Sequence, residues 1–174
     1  MSDTDQVRTS AGIPVQGDIT NGATRYEQRP KEEFEPLIRA LLEDDAIKSF
    51  GWSQHTPYFN DGEPCEFGAS ALWVRTVWED EPGEDADDDD FDPYDLEVSS
   101  RHPSLGDEVW SDQACKYVKR ENEHFDQGRL DRCSYLSDAI EGGHFDDVLI
   151  DLFGDHARIN VTRAGIQIQF YDHE

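Results

Sequence analysis

The chain has 174 residues, of which 40 are acidic and 15 basic, for a formal net charge of −25 at pH 7. A surface this negative repels nucleic-acid backbones and anionic membranes, so it argues against direct binding to either and favours cations and basic proteins. No apolar run approaches the ~20 residues of a membrane span, and the length fits a single domain.

In chain order, residues 1–24 carry Gly, Thr, Ser and Asp and have neither the basic start nor the apolar core of a secretion signal. A mobile N-terminal tail is expected there, followed by one domain over 25–174. Phe34, Leu37, Ile38, Leu41 and Leu42 form one apolar stripe at helical spacing. Pro30 and the acidic pair Glu32–Glu33 suit the helix start. Pro36 conflicts with it and suggests a first turn near Pro36, with the end near Asp44. Ile47 to His55 reads as a strand. Thr56 to Pro64 has turn chemistry, and Cys65 to Trp78 reads as a second strand, so the two strands make a hairpin with a long loop.

The segment Glu79 to Glu97 holds twelve acidic residues and no basic one, densest at Asp87, Asp88, Asp89, Asp90 and Asp92. Like charges at this density oppose compaction, which predicts a flexible acidic loop over 79–97. The rest of the chain still carries −13. Val98 to Gly106 reads as irregular, and Ala114 to Arg120 as helical. Leu130, Cys133, Leu136, Ser137 and Ile140 predict a helix that stops at Gly142–Gly143. Phe145, Val148, Leu149 and Leu152 make another stripe, closed by Gly154. Ala157, Ile159 and Val161, then Ile166, Ile168 and Phe170, alternate with polar residues as a β-hairpin. The expected fold is α+β: antiparallel β-hairpins packed against two or three helices, with a long acidic loop.

Motifs for chemistry are few. Counted from Asp85, an EF-hand would need glycine where Asp90 stands and glutamate where Leu96 stands. Weak, nonspecific binding of a divalent cation is all that the loop implies, and no cofactor is expected. Phosphate-binding glycine loops are missing, and Ser100 and Ser104 flank His102 without a GxSxG elbow. Cys65, Cys115 and Cys133 form no CxxC pair and read as free buried thiols in a reducing cytoplasm. Cys65 would be a nucleophile only with His55 beside it. Keeping the terminal hairpin's apolar side chains on one face pairs Val161 with Ile168 and Ile159 with Phe170. That register brings His156 level with His173 and Asp155 close to Asp172, a set able to hold a divalent metal; a solvated ion pair at a strand end is the plainer reading.

The stretch Trp52 to Phe67, WSQHTPYFNDGEPCEF, resembles a WxQxTPYFNDGxPCxF pattern of small uncharacterised bacteriophage and prophage proteins. The C-terminal FGDHARINVTRAGIQIQFYDHE looks like the matching end of those proteins. His55 stands where they are expected to carry tyrosine, and the acidic insertion after Trp78 is a further departure. The resemblance implies a phage-encoded protein of the host cytoplasm and assigns no activity and no residue roles. Physically, Trp52, Tyr58, Phe59, Asn60 and Asp61 would give a recognition loop stiffened by Pro57 and Pro64, since a rigid aromatic surface loses little entropy on binding. The alternative is a loop folded back on the core.

The expected function is therefore a phage-encoded acidic interaction protein without catalytic residues. It would bind a host protein with a basic surface, in a specific form a DNA-binding protein, as a DNA mimic or an anti-defence factor. Two alternatives stand: a metal-dependent hydrolytic enzyme using Asp155, His156, Asp172 and His173, and a cation-responsive or purely structural protein whose acidic loop 79–97 orders on binding Ca²⁺ or a basic partner. Self-repulsion among the carboxylates predicts that the melting temperature rises from low to moderate NaCl, where charges are screened beyond ~10 Å at 0.1 M. Calorimetry in a salt series checks this, and a flat or falling trend contradicts it.

Overall fold

A computed structural model of the chain describes residues 9–10, 13–14, 26–59, 61–62, 65–70, 72–79, 96–98, 102–120 and 122–172, with backbone alone at 9–10, 13–14, 107–110 and 117–120. The N-terminal reading over 1–24 and the acidic loop, with Asp87, Asp88, Asp89, Asp90 and Asp92, lie almost wholly outside these residues. Within the former, β1 (Thr9–Ser10) pairs antiparallel with β2 (Ile13–Pro14).

The fold is α+β, with three helices and a five-stranded antiparallel sheet among the described residues. The first helix, α1 (Lys31–Leu42), starts at Pro30, with Glu32 and Glu33 in its first turn. Pro36 sits inside it, contrary to the later start read from the sequence. Its ring removes one hydrogen bond, the one to Glu32, on an exposed face where water can replace it.

Strand β3 (Ile47–His55) is the centre of the sheet. Along one edge it pairs with β4 (Gly68–Ala69) and β5 (Trp73–Thr76), so the single strand expected over Cys65 to Trp78 is two short ones. Along the other it pairs with β8 (Ala157–Thr162), which pairs with β9 (Gly165–Phe170) at the sheet's edge. Strands β6 (Asp107–Ser111) and β7 (Lys116–Arg120) form a separate hairpin. The helix expected at Ala114–Arg120 is therefore incorrect. Lys116-Tyr117-Val118-Lys119-Arg120 lacks an apolar stripe at helical spacing, and pairing with β6 decides its conformation: the register sets Asp107 opposite Arg120 and Glu108 opposite Lys119.

Period two also fixes the core. Phe50, Trp52 and Gln54 share one face of β3, opposite Val161, Ile159 and Ala157 of β8. Onto this face α1 brings Phe34 and Leu41. From α2 (Gln127–Glu141) come Leu130, Cys133, Leu136 and Ile140, and from α3 (Asp146–Phe153) come Val148, Leu149 and Phe153. Trp52 meets Phe153 edge-on, with ring centroids 5.3 Å apart. Its ring is fully buried, so Trp52 belongs to the core and not to the exposed recognition loop expected from the sequence.

On the opposite face, the Trp73 ring lies across Gly51. A Cβ at Gly51 would come within 2.0 Å of the Ile159 carbonyl oxygen and 2.7 Å of that ring, so only glycine lets β8 and Trp73 approach. The thiols also differ from expectation. Cys65 and Cys115 are exposed; Cys133 alone is buried, and burial pushes its pKa up to about 12.

Two polar devices hold these layers. Asp44, after α1, accepts hydrogen bonds from the Ala46 N–H, Arg132 and Arg129, the last at 3.1 Å. Burial works to raise its pKa, but these donors outweigh it and hold the carboxyl below its ordinary value. Gln54 is the second. Its fully buried amide donates to the Leu149 carbonyl at 3.1 Å and to the Gly154 carbonyl, and accepts from Trp52 Nε1 at 3.0 Å. Gln54→Leu keeps the volume but strands these groups, and each buried unsatisfied group costs ~1–3 kcal/mol. The variant should lose about 3 kcal/mol in a urea titration. A loss within error would show the amide to be dispensable.

Candidate functional site

The end of β3, the loop after it, the start of β8 and the end of β9 converge at one corner. The Asp155 carboxylate accepts from the Thr56 N–H at 2.8 Å and from the His156 N–H at 2.8 Å. Partial burial works to raise its pKa. Hydrogen bonds from Thr56 and His156, with attraction to the His156 imidazole, outweigh that and hold it below its ordinary value. His156 Nε2 stands 3.8 Å from the same carboxylate. The residue has φ +55°, a left-handed conformation uncommon for a side-chain-bearing residue.

Around His156 the aromatic rings gather. Tyr58 stacks on it with centroids 4.9 Å apart and planes 17° from parallel. His55 lies 6.4 Å from His156 and 5.6 Å from Tyr171, and Phe170 lies 6.3 Å from His156. Arg158 covers Tyr171 at 5.6 Å. Tyr58 is 69% exposed and Phe59 76%, so the loop is not folded back on the core. Asp61 stands in the same loop at φ +29°, followed by Gly62 at +92°. Asn60 lies outside the described residues.

The register of the terminal hairpin differs from the one read in the sequence. Val161 pairs with Ile166 and Ile159 with Ile168, because the turn is confined to Arg163 and Ala164 and closes at Thr162–Gly165. His156 therefore comes level with Tyr171, whose N–H donates to its carbonyl at 2.8 Å, and not with His173. No group of three or more His, Cys, Asp or Glu able to hold a metal occurs among the described residues, and His173 lies outside them.

His102 and Ser104 form a second polar cluster. His102 Nε2 donates to the Val74 carbonyl at 2.7 Å, while Nδ1 accepts from the backbone N–H of Ser104 at 3.2 Å and of Leu105 at 3.1 Å. With both ring nitrogens engaged by backbone, the imidazole does not serve as a base toward Ser104 Oγ, 3.5 Å away. Its role is to pin the 102–106 turn to β5. Glu79 beside it accepts from the Thr76 N–H at 2.5 Å. The helices carry the remaining charge outward: Glu32, Glu33, Glu35, Asp131, Asp138, Glu141, Asp147 and Asp151 are all exposed. Tyr135, 64% exposed on α2, lines a groove of about 330 Å³ with Arg29, Glu33 and Asp138. The only sequence signal for it was its place off the apolar stripe of α2.

No protein-family description, curated protein or solved structure matches the chain. No helix among the described residues is long and apolar enough to cross a membrane.

Burial lowers the His102 pKa, against its bond to Val74 and the charge of Glu79. Below its ordinary value of 6.5 the unfolded chain therefore takes up a proton that the folded chain refuses. The stability from this group is complete above that pH and declines as pH falls toward the lowered folded value. His102→Ala should unfold at lower temperature at pH 7.5 and lose part of the decline seen in the parent between about pH 6.5 and 5.5. Equal slopes in the two proteins would contradict this.

Proposed function

We propose that the chain is an acidic, non-enzymatic interaction protein that uses the Tyr58–Phe59 corner to grip a basic protein. The exposure of these two rings carries the reading. They project from a loop that the Thr56–Asp155 hydrogen bond and the Tyr58–His156 stack fix in place, so binding would freeze little. Aromatic faces with Asp61 and Asp155 nearby suit the arginine and lysine side chains of a partner, through cation–π and ionic contact together. The carboxylates on the helices add long-range attraction to the same kind of surface. The resemblance in Trp52–Phe67 makes a bacterial host protein the partner of this reading, and a DNA-binding protein its specific form, since such proteins display the basic surfaces that phosphates otherwise occupy.

The test is affinity capture from bacterial lysate by the parent chain and by a Tyr58→Ala/Phe59→Ala variant, at low and high salt. A partner retained by the parent at low salt, competed by duplex DNA and lost in the variant, supports the reading. Removing a central aromatic anchor typically costs about 2 kcal/mol, or roughly 30-fold in affinity. A partner held equally by the variant would move the binding surface elsewhere.

A further inference from the structure

The edge strand β9 is out of keeping with the rest of this chain. Ile166, Ile168 and Phe170 lie on the core-facing side of the sheet, in register with Val161, Ile159 and Ala157, yet they are 47%, 50% and 73% exposed. Ile166 and Ile168 line a groove of about 450 Å³ with Ile38, Leu42 and Leu152. Edge strands are ordinarily protected by charge, proline or a bulge. Gly165 to Tyr171 has no charged residue and no proline, and its pairing with β8 runs without a register shift.

The hydrogen-bond parity shows which groups face outward. Tyr171 donates to His156, and the two-residue turn closes at Thr162–Gly165, so the odd-numbered residues of β9 turn their backbone groups to β8. The N–H and C=O groups of Ile166, Ile168 and Phe170 therefore point to the open edge. Among the described residues β9 pairs with no strand but β8, so the same three residues supply outward backbone groups and exposed apolar side chains.

We propose that this edge pairs with β9 of a second copy, antiparallel about a two-fold axis at Ile168, which would make one continuous sheet across a homodimer. Face matching and parity together select this register. Ile168 meets its own counterpart and Ile166 meets Phe170 of the second copy, in about six backbone hydrogen bonds. Phe170 of each copy then lies beside the other's groove.

Charge selects a second copy as the occupant. Residues 157–171 contain Arg158 and Arg163 and no carboxylate, in a chain of net charge −25. Two copies meeting here oppose no carboxylates within the paired strands. The register also sets Asp172 of one copy opposite Ala164 of the other, one residue from Arg163. Added salt should strengthen this contact by screening the acidic bodies, the opposite of its effect on a basic partner.

Sedimentation velocity of the full chain tests it, with and without Ile168→Lys, the folding of that exposed-edge variant being checked by its melting temperature. A Cys65→Ser/Cys115→Ser chain carrying Ile168→Cys reads the register directly. Hydrogen-bonded antiparallel partners have Cα atoms ~5.5 Å apart, within disulfide reach. Expected are a dimer in the parent, at least a tenfold weaker one in Ile168→Lys, and oxidative cross-linking at 168 but not in a matched Ile166→Cys chain. A monomer throughout overturns the proposal. So does a dimer indifferent to Ile168→Lys, or a monomer whose Ile166, Ile168 and Phe170 amides resist hydrogen exchange, which would assign the edge to another segment of the same chain.

Discussion

The arrangement depends on one buried side chain, Gln54. It sits on the core face of the central strand, where a hydrophobic residue would ordinarily stand, and its three hydrogen-bonding contacts are all inside the protein. Two of them hold carbonyls at the C-terminal turn of α3. That turn leads through Gly154 into Asp155 and His156. By fixing Gly154 against β3, the amide brings the Asp155 carboxylate to the Thr56 N–H. Core and the Tyr58–His156 corner are thus joined across about a hundred residues of sequence by one amide, and the corner inherits the rigidity of the core.

The acidity of the chain acts on this framework from outside. Carboxylates on the solvent sides of the helices repel one another, so the fold relies on its apolar cluster and on a few charges that are paired inside, chiefly Asp44 with Arg129 and Arg132. The terminal hairpin departs from this pattern: β8 and β9 hold Arg158 and no acid, and the turn between them holds Arg163. One molecule thereby presents two surfaces of different character, an acidic one with aromatic rings at a corner and a neutral apolar edge.

Much of the fold was legible because periodicity reports burial. The strand Ile47–His55, the helix ending at Gly142 and the terminal hairpin follow from spacing alone. The hairpin at Asp107–Arg120 escaped because its strands are short and neither alternates: the apolar residues stand side by side, at Val109–Trp110 and Tyr117–Val118. The terminal register was misread by two positions for a related reason: alternation fixes which face a residue occupies, but the turn decides which partner it meets. Of the candidate site, Tyr58, Phe59 and Asp61 were visible as a proline-flanked turn. Trp52 was grouped with them by proximity in sequence, although its position on the core face of β3 sends it inward. The joining of His55, Tyr58 and His156 was not legible, because it depends on the Gln54 contacts and on the left-handed backbone at His156.

Amide hydrogen exchange at Thr56 measures the link from core to corner most directly. If Gln54 holds the corner together, the Thr56 N–H exchanges slowly in the parent and much faster in Gln54→Leu, while the Phe50 and Val161 amides in the sheet stay protected. Equal protection of Thr56 in both proteins would contradict the account, because the corner would then be held by something other than that amide.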